Sequence, residues 1–543
     1  SIFSLQMGNF FSYPDSRIVE TSYGQVQGRR LVYSGEKQVD AFQGIPFAKP
    51  PIGELRFEKP HLPEKWSGIK QTKSFQKGAI QAPILYISHY LRGFPSEDCL
   101  YLNVFTPCWD PPVGGFPVMV FIHGGGFELG DTGTYGDLNI CDNIVSRDVI
   151  FVTVAYRLGY LGFFTTGDDA CFGNFGLWDQ VAALKWVSEN IEAFGGNKNN
   201  ITLLGQSAGS ISTDMLHLSP HSTGLFHKMI CMAGTSDIRV VTDKDMLQQC
   251  REKVASLGIT DYKDTKELLE KLRALPADKF EVYLKGFNKG FKEAERFETV
   301  PWIGGDFFPE SLDELRKKSI PKPLMTGITK EEGILFLAGK KPSEESFADV
   351  IELAAGKCND NEQLKEDLQS LYVSDEIRAD KDKFMRSIAN IMSDYYMNAD
   401  AIELCRKTVS IQDEPVYLYI LDYFNPKIMG IFSWFMPIQD ACHGGELFYL
   451  FKKGIFSSNP SLTDDDRVVV DAFTTSFTNF AKYGNPNGPS KYELPAEWIP
   501  ADKENWGRNF VFSPECHINE DFFNGRPAKY KEILVKHNVT ASE

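Results

Sequence analysis

Three unbroken apolar runs constrain the fold of this chain more than any other feature of its sequence. They are FPVMVFIH at 116–123, VIFVTVAY at 149–156 and NITLL at 200–204. Strands that are apolar on both faces are typical of a parallel sheet covered by helices on both sides. Apolar residues at helical spacing over 177–190 supply a crossover between the second and third runs. The pattern therefore predicts an α/β fold with a large, mostly parallel central sheet and helices on both faces.

The segments around these runs predict additions to the central sheet. The first part of the chain is rich in Gly and Pro, as in FQGIPFAKPP at 42–51, and predicts a small antiparallel N-terminal sheet with surface loops. The segments 242–296 and 344–407 are charged and have helical spacing, so they predict helical insertions. No repeat or low-complexity linker interrupts the chain. We therefore expect 1–543 to form a single domain, with a flexible N-terminal segment over 1–16.

The charge of the chain argues against nucleic acid as a partner. It has 57 Lys and Arg residues against 73 Asp and Glu residues, which gives a net charge of −16 at pH 7. Nucleic-acid binding depends on Lys and Arg that neutralise phosphates, so an acidic chain disfavours it.

The longest apolar candidate for a membrane span, at 428–438, has only about half of the roughly 18 to 20 residues that a bilayer requires.

Targeting signals are weak. The N-terminal segment lacks the basic and long apolar regions of a secretory signal peptide. The segment 7–12 (MGNFFS) matches the N-myristoylation pattern if translation starts at Met7, and a single acyl chain would give weak membrane association. The ten cysteines show no C-x-x-C spacing, so the sequence predicts no metal site.

The segment GQSAG at 205–209 directly follows the third apolar run and precedes a helix-compatible segment. G-x-S-x-G between a strand and a helix is typical of a sharp turn that exposes a nucleophilic serine hydroxyl, here that of Ser207. Glycines two residues to either side give the turn the clearance it needs. The pentapeptide alone is a weak signal, because an ordinary Gly-Ser turn has the same composition.

A second glycine-rich segment, HGGGF at 123–127, follows the first apolar run. Consecutive glycines leave backbone N–H groups unshielded, which is what an acyl-transfer enzyme needs where negative charge develops on a carbonyl oxygen. On this interpretation Gly125, Gly126 and Ala208 form an oxyanion hole. A phosphate cradle is disfavoured, because Leu129 stands where a third glycine would be required and no G-K-[ST] follows. A purely structural turn is the remaining alternative.

A serine nucleophile needs a base and an acid that orients the base. In this class of fold the chain order is Ser, then Asp or Glu, then His. His443 is the best candidate for the base, because the glycines after it leave the ring free, whereas His517 and His537 have the surroundings of surface residues. The acid is expected at a strand end, where Glu331 and Glu332 are equally suitable from the residues alone.

These motifs together resemble the carboxylesterase/cholinesterase (type-B esterase) family of α/β-hydrolases over nearly the whole chain. The likeness also rests on segments outside the motifs above: FQGIPFA at 42–48, EDCLYLNV at 97–104, GNFGLWDQ at 173–180, KEEG at 330–333 and HGGE at 443–446. The resemblance implies an α/β-hydrolase fold and a single carboxylesterase catalytic domain.

The resemblance also implies a mechanism. The family pattern places the acid on the second carboxylate of KEEG, which selects Glu332. Ser207 then attacks the acyl carbon, His443 takes its proton, and Glu332 orients the imidazole and stabilises the imidazolium. Water hydrolyses the acyl-enzyme, and neither a metal nor an organic cofactor is required.

Two departures from the family pattern bear on the substrate. Gln206 stands where most members carry an acidic residue before the serine, as in juvenile hormone esterases, so preference for cationic substrates should fall. The loop before Cys99 has no tryptophan where cholinesterases carry the ring that stacks on choline, so cation–π binding of a quaternary ammonium is not expected. The chain is therefore predicted not to be a cholinesterase.

Two further departures concern the scaffold. Ala79 stands where the family usually has the disulfide partner of Cys99, so that bridge is expected to be missing. The unmatched cysteine favours a reducing, cytoplasmic compartment, with the secretory pathway or the extracellular space as the alternative. Ala233 stands where many members have a serine near the acid. The missing hydroxyl is expected to loosen Glu332 unless water replaces it.

The substrate pocket is predicted from neighbouring residues. Phe127 and Gln206 flank the two glycine motifs, and Trp434 and Phe435 belong to an aromatic run just before His443. An aromatic, apolar cleft suits neutral lipophilic esters. Core packing and a rim that touches membrane are equal alternatives for the aromatic run.

The predicted function is that of a serine carboxylesterase, whose partner is a small-molecule ester. Two alternatives stay open: a non-catalytic adhesion or scaffold member of the same fold, and a lipid esterase that acts at an interface. The oligomeric state is not predicted.

Overall fold

The computed structural model describes residues 13–32, 37–82, 94–242, 245–282, 297–358, 361–453, 461–490 and 493–539. The expected flexible segment over 1–16 lies mostly outside these ranges. Its last two residues do not fit the expectation, because Asp15 and Ser16 already pair within the first β-strand. Among the described residues, no helix combines the length and apolar character that crossing a bilayer requires.

Within the described ranges, one sheet of 13 strands forms the centre of the molecule. Its strands are β1 (Asp15–Thr21), β2 (Gly24–Val32), β3 (Gln38–Pro46), β4 (Ile69–Gln71), β5 (Tyr101–Pro107), β6 (Phe116–Ile122), β7 (Ile150–Val154), β8 (Gly196–Gln206), β9 (Lys228–Met232), β10 (Leu324–Thr329), β11 (Val416–Leu421), β12 (Asn509–Phe512) and β13 (His517–Asn519). The spatial order is β1-β2-β3-β5-β7-β6-β8-β9-β10-β11-β12-β13, and β4 pairs with β2. The three apolar runs are β6, β7 and β8.

The strands from β7 to β12 are mutually parallel, as the unbroken apolar runs predict. The predicted N-terminal antiparallel strands β1, β2, β3 and β5 are present, and they continue the same sheet at the β7 edge. Strand β13 closes the other edge in an antiparallel pairing. The α/β-hydrolase class and the mostly parallel central sheet are therefore confirmed.

Helices cover both faces of the sheet. They are α1 (Leu138–Asn143), α2 (Gly159–Phe163), α3 (Phe175–Asn190), α4 (Ala208–Leu218), α5 (Arg239–Thr242), α6 (Met246–Ser256), α7 (Thr265–Arg273), α8 (Leu312–Lys318), α9 (Glu344–Ala355), α10 (Glu362–Tyr372), α11 (Asp375–Ala379), α12 (Lys381–Ser393), α13 (Ala399–Ile411), α14 (Pro426–Met429), α15 (Glu446–Phe451), α16 (Asp464–Tyr483) and α17 (Arg526–Lys536). A π-helical turn, Asp394–Asn398, joins α12 to α13.

Strand β6 shows why its run of apolar residues is unbroken. Val118 and Val120 belong to one buried apolar cluster, which includes residues of α3, whereas Met119 and Phe121 belong to another, which includes residues of α16. Successive side chains of a strand point to opposite faces. Both faces of β6 are therefore buried, and this fixes the strand that precedes the HGGGF loop in the centre of the protein.

The position of the absent family disulfide is filled by packing. Cys99 is a free thiol and is buried, as is Ala79. Both residues line a cavity of about 10 Å³, which is about the size of one water molecule. The segments that contain Ala79 and Cys99 are thus packed together without a disulfide bond.

Candidate active site

The segment around Ser207 forms a tight turn between β8 and α4. Ser207 has φ 56° and ψ −124°, a conformation that non-glycine residues rarely adopt. A Cβ atom on Gly205 would lie 2.1 Å from the carbonyl oxygen of Gly209, and one on Gly209 would lie 2.0 Å from the carbonyl oxygen of Ile122. Only glycine fits at either position, so the two glycines of the motif are required by the turn itself.

Backbone hydrogen bonds hold this strained residue in place. The N–H of Ser207 donates to the carbonyl of Met232 at the end of β9 (2.8 Å), and its carbonyl accepts from the N–H of Ile211 in α4 (2.9 Å). Strain of this kind persists only where the surroundings over-determine the conformation. The Ser207 side chain is half-buried at the carboxyl end of the central strands.

His443 and Glu332 are in direct contact. Nδ1 of His443 lies 2.6 Å from Oε2 of Glu332, and both side chains are buried. Oε1 of Glu332 accepts hydrogen bonds from the backbone N–H of Thr329 (2.5 Å) and from its hydroxyl (2.9 Å). The sequence predicted that Glu332 would be loosened because Ala233 has no hydroxyl. In the structure, Thr329 supplies a hydroxyl to this carboxylate. Its position three residues before Glu332 was the available signal.

The pKa of His443 lies above its ordinary value. Burial lowers this pKa, but the negative charge of Glu332, its hydrogen bond to the ring, and the charge of Glu446 together raise it by more. The site therefore favours a protonated ring relative to an isolated imidazole. A group that takes up a proton during a reaction is stabilised by such an arrangement.

The neighbouring carboxylate, Glu331, points elsewhere. Its Oε1 lies 3.1 Å from Nη1 of Arg386, which also binds Asp440. Burial raises the pKa of Glu331 to about 7, although the Arg386 charge opposes this shift. Of the two acids that the residues alone left open, Glu332 is the one in contact with the imidazole.

The other two candidate histidines lie away from this pair. His517 lies on the exposed edge strand β13, and its Nδ1 is 2.9 Å from the carbonyl of Glu515. His537 follows the end of α17, and its Nε2 is 2.8 Å from the carboxylate of Asp367. Neither contacts Glu332 or His443.

Gln206 links the serine turn to the imidazole. Its Nε2 lies 3.5 Å from Nε2 of His443, at the outer limit of a hydrogen bond. Although both Ser207 and His443 are described, no hydrogen bond joins the Ser207 hydroxyl to the His443 ring. Hydrogen bonds of this kind are often long or misaligned without substrate and shorten when it binds. The contact of Gln206, the residue before the serine, with the His443 ring therefore places the imidazole next to the serine turn.

The HGGGF loop lies against the serine turn. A Cβ atom on Gly124 would lie 3.0 Å from Cβ of Ser207. Gly125 and Gly126 both have positive φ, 115° and 62°. The loop is held at its far end by Gln81, whose amide oxygen accepts from the N–H of Gly130 and whose Nε2 donates to the Gly130 carbonyl, both at 2.9 Å. This role of Gln81 was not predicted, because no local sequence pattern distinguishes it from other glutamines.

The apolar walls come from residues that the sequence analysis partly missed. Phe127 is buried and packs edge-to-face on Phe163, with ring centroids 5.2 Å apart. Phe297 lies directly over Gly126, since a Cβ there would be 2.3 Å from its ring. Phe336 has its ring centroid 5.7 Å from that of His443 and stacks on Tyr396 of the π-helical turn. Neither Phe297 nor Phe336 was predicted.

Trp434 and Phe435 are surface residues. Trp434 is 82% exposed and Phe435 is 58% exposed. Core packing, one of three interpretations of the aromatic run, is therefore excluded for these two side chains. The backbone carbonyl of Phe435 accepts from the N–H of Gly339 (2.7 Å), just beyond the turn that carries Glu332 and Phe336.

A second buried carboxylate, Glu446, lies beside the His443–Glu332 pair. Both of its side-chain oxygens are buried and make no close hydrogen bond within the described part of the chain, and the amide of Gln206 is near enough to oppose the rise in the Glu446 pKa. Burial raises the pKa of Glu446 to about 7, the charge of Glu332 adds to this shift, and His443 opposes it. Three residues after His443, Glu446 was visible in the sequence, but no motif distinguished it from a surface glutamate.

The described residues contain no group of three or more His, Cys, Asp or Glu side chains that could hold a metal ion. The arrangement instead offers a strained serine, a buried imidazole–carboxylate pair and a loop of exposed backbone N–H groups. Together these groups are suited to acyl transfer.

Comparison with known proteins agrees with this geometry. The model of the carboxylesterase family matches residues 15–515. Esterase cest-33 of Caenorhabditis elegans is 35% identical over 96% of this chain and 95% of its own length. The mouse pyrethroid hydrolase Ces2a is 31% identical over 87% of the chain and 84% of its own length, and human neuroligin-2 is 30% identical over 96% and 66%. The chain therefore belongs to the carboxylesterase family.

Proposed function

We propose that this protein is a serine carboxylesterase that hydrolyses neutral, lipophilic carboxylic esters through an acyl-enzyme on Ser207. The observation that carries the proposal is the contact between His443 Nδ1 and Glu332 Oε2, buried beside the strained turn of Ser207. In this proposal His443 is the general base, and Glu332 fixes its tautomer and orientation.

The reaction has two steps. In the first, the Ser207 oxygen attacks the acyl carbon while Nε2 of His443 takes the hydroxyl proton, and the imidazolium then protonates the departing alkoxide. In the second, His443 takes a proton from water, the resulting hydroxide attacks the acyl carbon, and the Ser207 oxygen leaves with that proton. Protein side chains and water supply every group, so no cofactor is required.

The backbone N–H groups of Gly125, Gly126 and Ala208 are the proposed oxyanion hole. Support comes from the positive φ of the two glycines and from the position of Ala208 at the start of α4, next to Ser207. N–H groups in the first turn of a helix have no partner within the helix. Each such donor typically contributes about 10² to 10³ in rate.

The substrate class follows from the surroundings of the serine. Gln206 is uncharged, and its side chain is buried next to His443. Phe127, Phe297 and Phe336 supply apolar walls. A neutral ester with an apolar acyl or alcohol group suits this lining, and similarity to a mouse protein named pyrethroid hydrolase is consistent with it.

The test combines active-site labelling with a serine variant. A fluorophosphonate should form one covalent adduct on the peptide that contains Ser207, and Ser207→Ala should abolish both labelling and turnover of a short-chain chromogenic ester, by about 10⁶. Ser212→Ala, five residues further along in α4, is the matched control and should retain both the labelling and the turnover. Failure of the wild-type protein to label or turn over any ester would favour a non-catalytic scaffold of the same fold.

A second candidate, a lipid esterase acting at an interface, is favoured by the exposure of Trp434 and Phe435. Aromatic side chains of this kind are enriched where one face is wet and the other apolar. Rates on the same ester below and above its micellar concentration separate the two candidates. A sharp rise above that concentration, lost in a Trp434→Ser/Phe435→Ser double variant, would support interfacial action.

A further inference from the structure

A cavity of about 260 Å³ lies at the far end of the helix that begins after Ser207. It is bounded by the C-terminal end of α4, by the segment that follows α4, and by α8 with the residues after it. His217, near the end of α4, is ten residues from Ser207, which corresponds to about 15 Å along the helix axis. The cavity is therefore separate from the His443–Glu332 site. A single water needs only about 10–15 Å³, so this space suits a small organic molecule.

Much of the cavity wall is apolar. Leu216, Leu218, Phe226 and Leu315 line it and are themselves buried, and Ile320 lies at the rim, where it is half exposed. These side chains provide a surface from which a short hydrocarbon chain would exclude water. Burial of such a chain would contribute about 0.8 kcal/mol per CH₂ group.

The wall also contains a buried cation without an acidic partner. Lys322 is only 7% exposed, and its ammonium donates to the carbonyl of Ile320 (3.3 Å) and lies 5.1 Å from the ring centroid of Phe226. No carboxylate of the described chain forms an ion pair with it. Burial lowers the pKa of Lys322. An ammonium has three donors, so Lys322 retains capacity for an anionic ligand.

The backbone of Lys322 is fixed in place. Its N–H donates to Oε1 of Gln412 (3.2 Å), and its carbonyl accepts from Nε2 of the same side chain (2.8 Å). The ammonium thus extends from a fixed base. By contrast, Lys318, which also lines the cavity, has an exposed side chain and donates to Oε1 of Glu310 (2.6 Å).

A second polar group in the wall is unsatisfied. Nδ1 of His217 is buried and has no hydrogen-bond partner among the described residues. Burial lowers the pKa of His217 to about 3, and the charge of Lys322 acts in the same direction, so the imidazole is neutral at pH 7. A buried polar atom without a partner is destabilising unless a ligand or water completes it.

The charges select one class of ligand. A cation would be repelled by Lys322, and a wholly apolar ligand would leave Lys322 and His217 unsatisfied. A dianion is disfavoured, because Glu310 already balances the charge of Lys318, which leaves the single positive charge of Lys322 for the ligand. A monoanion with a short apolar chain satisfies both the polar and the apolar parts of the wall.

We propose that this cavity is a second binding site for a small aliphatic monocarboxylate. The carboxylate accepts from the Lys322 ammonium and from the Nδ1–H tautomer of His217, and the chain packs against Leu216, Phe226 and Leu315. The ligand class has the chemistry of an acid released from a lipophilic ester. Binding itself requires no turnover, so the proposal does not depend on the proposed esterase function.

The test uses octanoate as the probe and the full chain carrying Ser207→Ala, so that no reaction occurs. Titration calorimetry should give saturable binding that weakens at least 10-fold in Lys322→Met. Binding should be unchanged in Lys317→Met, the matched control, because Lys317 is an exposed lysine of α8 that does not line the cavity. 1-Octanol, which has the chain without the charge, should bind at least 10-fold more weakly than octanoate. Equal octanoate affinity with and without Lys322→Met would overturn the proposal, as would the absence of saturable binding.

A measurement on the unmutated chain guards against misfolding of the variants. Acetylation of lysines by a limiting reagent, followed by peptide mass spectrometry, should slow at Lys322 in the presence of octanoate and stay constant at Lys317, outside the cavity. Identical acetylation of Lys322 with and without octanoate would contradict the proposal, even if both lysine variants failed to fold.

Discussion

Nδ1 of His443 lies 2.6 Å from Oε2 of Glu332, although the two residues are 111 positions apart in the chain. Glu332 begins the turn after β10, and His443 lies in the loop before α15. The backbone joins these two segments as well, because the N–H of Glu331 donates to the carbonyl of Ala441 (2.9 Å). The imidazole–carboxylate contact is thus anchored by main-chain geometry on both sides.

This contact predicts the effect of replacing Glu332 with glutamine. In Glu332→Gln, kcat/KM for a neutral ester should fall by about 10⁴, because the neutral amide no longer stabilises the imidazolium or the correct tautomer. The negative charge that raises the pKa of His443 is also lost. The acidic limb of the residual pH–rate profile should therefore move to lower pH.

Glu331→Gln is the matched control for that measurement. It makes the same chemical change one residue earlier, where the carboxylate contacts Arg386 instead of the imidazole. Its kcat/KM should stay within about 10-fold of the wild-type value. Equal losses in the two variants would show that the contact with His443 has no special role.

The serine turn makes a prediction about stability. In Gly209→Ala, the new methyl group would lie 2.0 Å from the carbonyl oxygen of Ile122, which belongs to a central strand and cannot move away. The free energy of unfolding should fall by about 3 kcal/mol or more, or the chain should fail to fold. Urea unfolding followed by circular dichroism measures the change.

Gly258→Ala separates overlap from backbone strain. Gly258 also has positive φ, 74°, but a Cβ there would meet nothing within 4 Å. Its replacement should destabilise by only about 1 kcal/mol, the ordinary effect of a left-handed conformation on a residue with a side chain. A loss as large as that of Gly209→Ala would contradict the clash argument.

The parts of the site that could be predicted from sequence are those whose chemistry is local. The turn at Ser207 and the loop at Gly125 and Gly126 are contiguous segments in which glycine spacing reflects steric need. The strands before them were predictable because burial on both faces leaves an unbroken apolar run. These features need no knowledge of which distant segments meet.

The residues that escaped prediction act across long separations. Phe297 reaches Gly126 from a segment far along the chain. Phe336 lies between His443 and Tyr396 of the π-helical turn, which are also distant from it in the chain. A lone phenylalanine has no spacing that distinguishes a wall of the site from core packing. Trp434 shows the same difficulty, since the aromatic run was equally compatible with a pocket wall, core packing and an exposed rim, and only the structure shows that its side chain is exposed.

Gln81 is predicted to position the oxyanion loop. Its amide is buried and makes two hydrogen bonds with Gly130, four residues after Gly126. In Gln81→Ala both bonds are lost, and the loop should relax by a fraction of an ångström. Because misplacement by about 1 Å can reduce a rate by about 10², we expect kcat to fall 10- to 100-fold with KM changed less than 3-fold.

Two comparisons distinguish positioning from general destabilisation. Gln76→Ala removes an exposed glutamine near the same segment and should leave kcat unchanged. Gln81→Glu retains the acceptor for the Gly130 N–H and should recover part of the lost rate. If kcat in Gln81→Ala is normal although its melting temperature falls, the residue is structural only.

Glu446 predicts how stability depends on pH. Its pKa is raised from 4.5 to about 7 in the folded protein, chiefly by burial. A carboxyl with a raised pKa binds more protons in the folded than in the unfolded state. Its contribution to the free energy of unfolding therefore falls as pH rises from about 4.5 to about 7 and stays low above that.

Glu446→Gln removes the ionisable group and keeps the shape of the side chain. The free energy of unfolding of the variant relative to wild type should therefore rise by about 3 kcal/mol across that interval. Glu345→Gln, at an exposed position of α9, makes the same substitution as a control. If the difference for Glu446→Gln were no larger than that for Glu345→Gln at every pH, the prediction for Glu446 would be wrong.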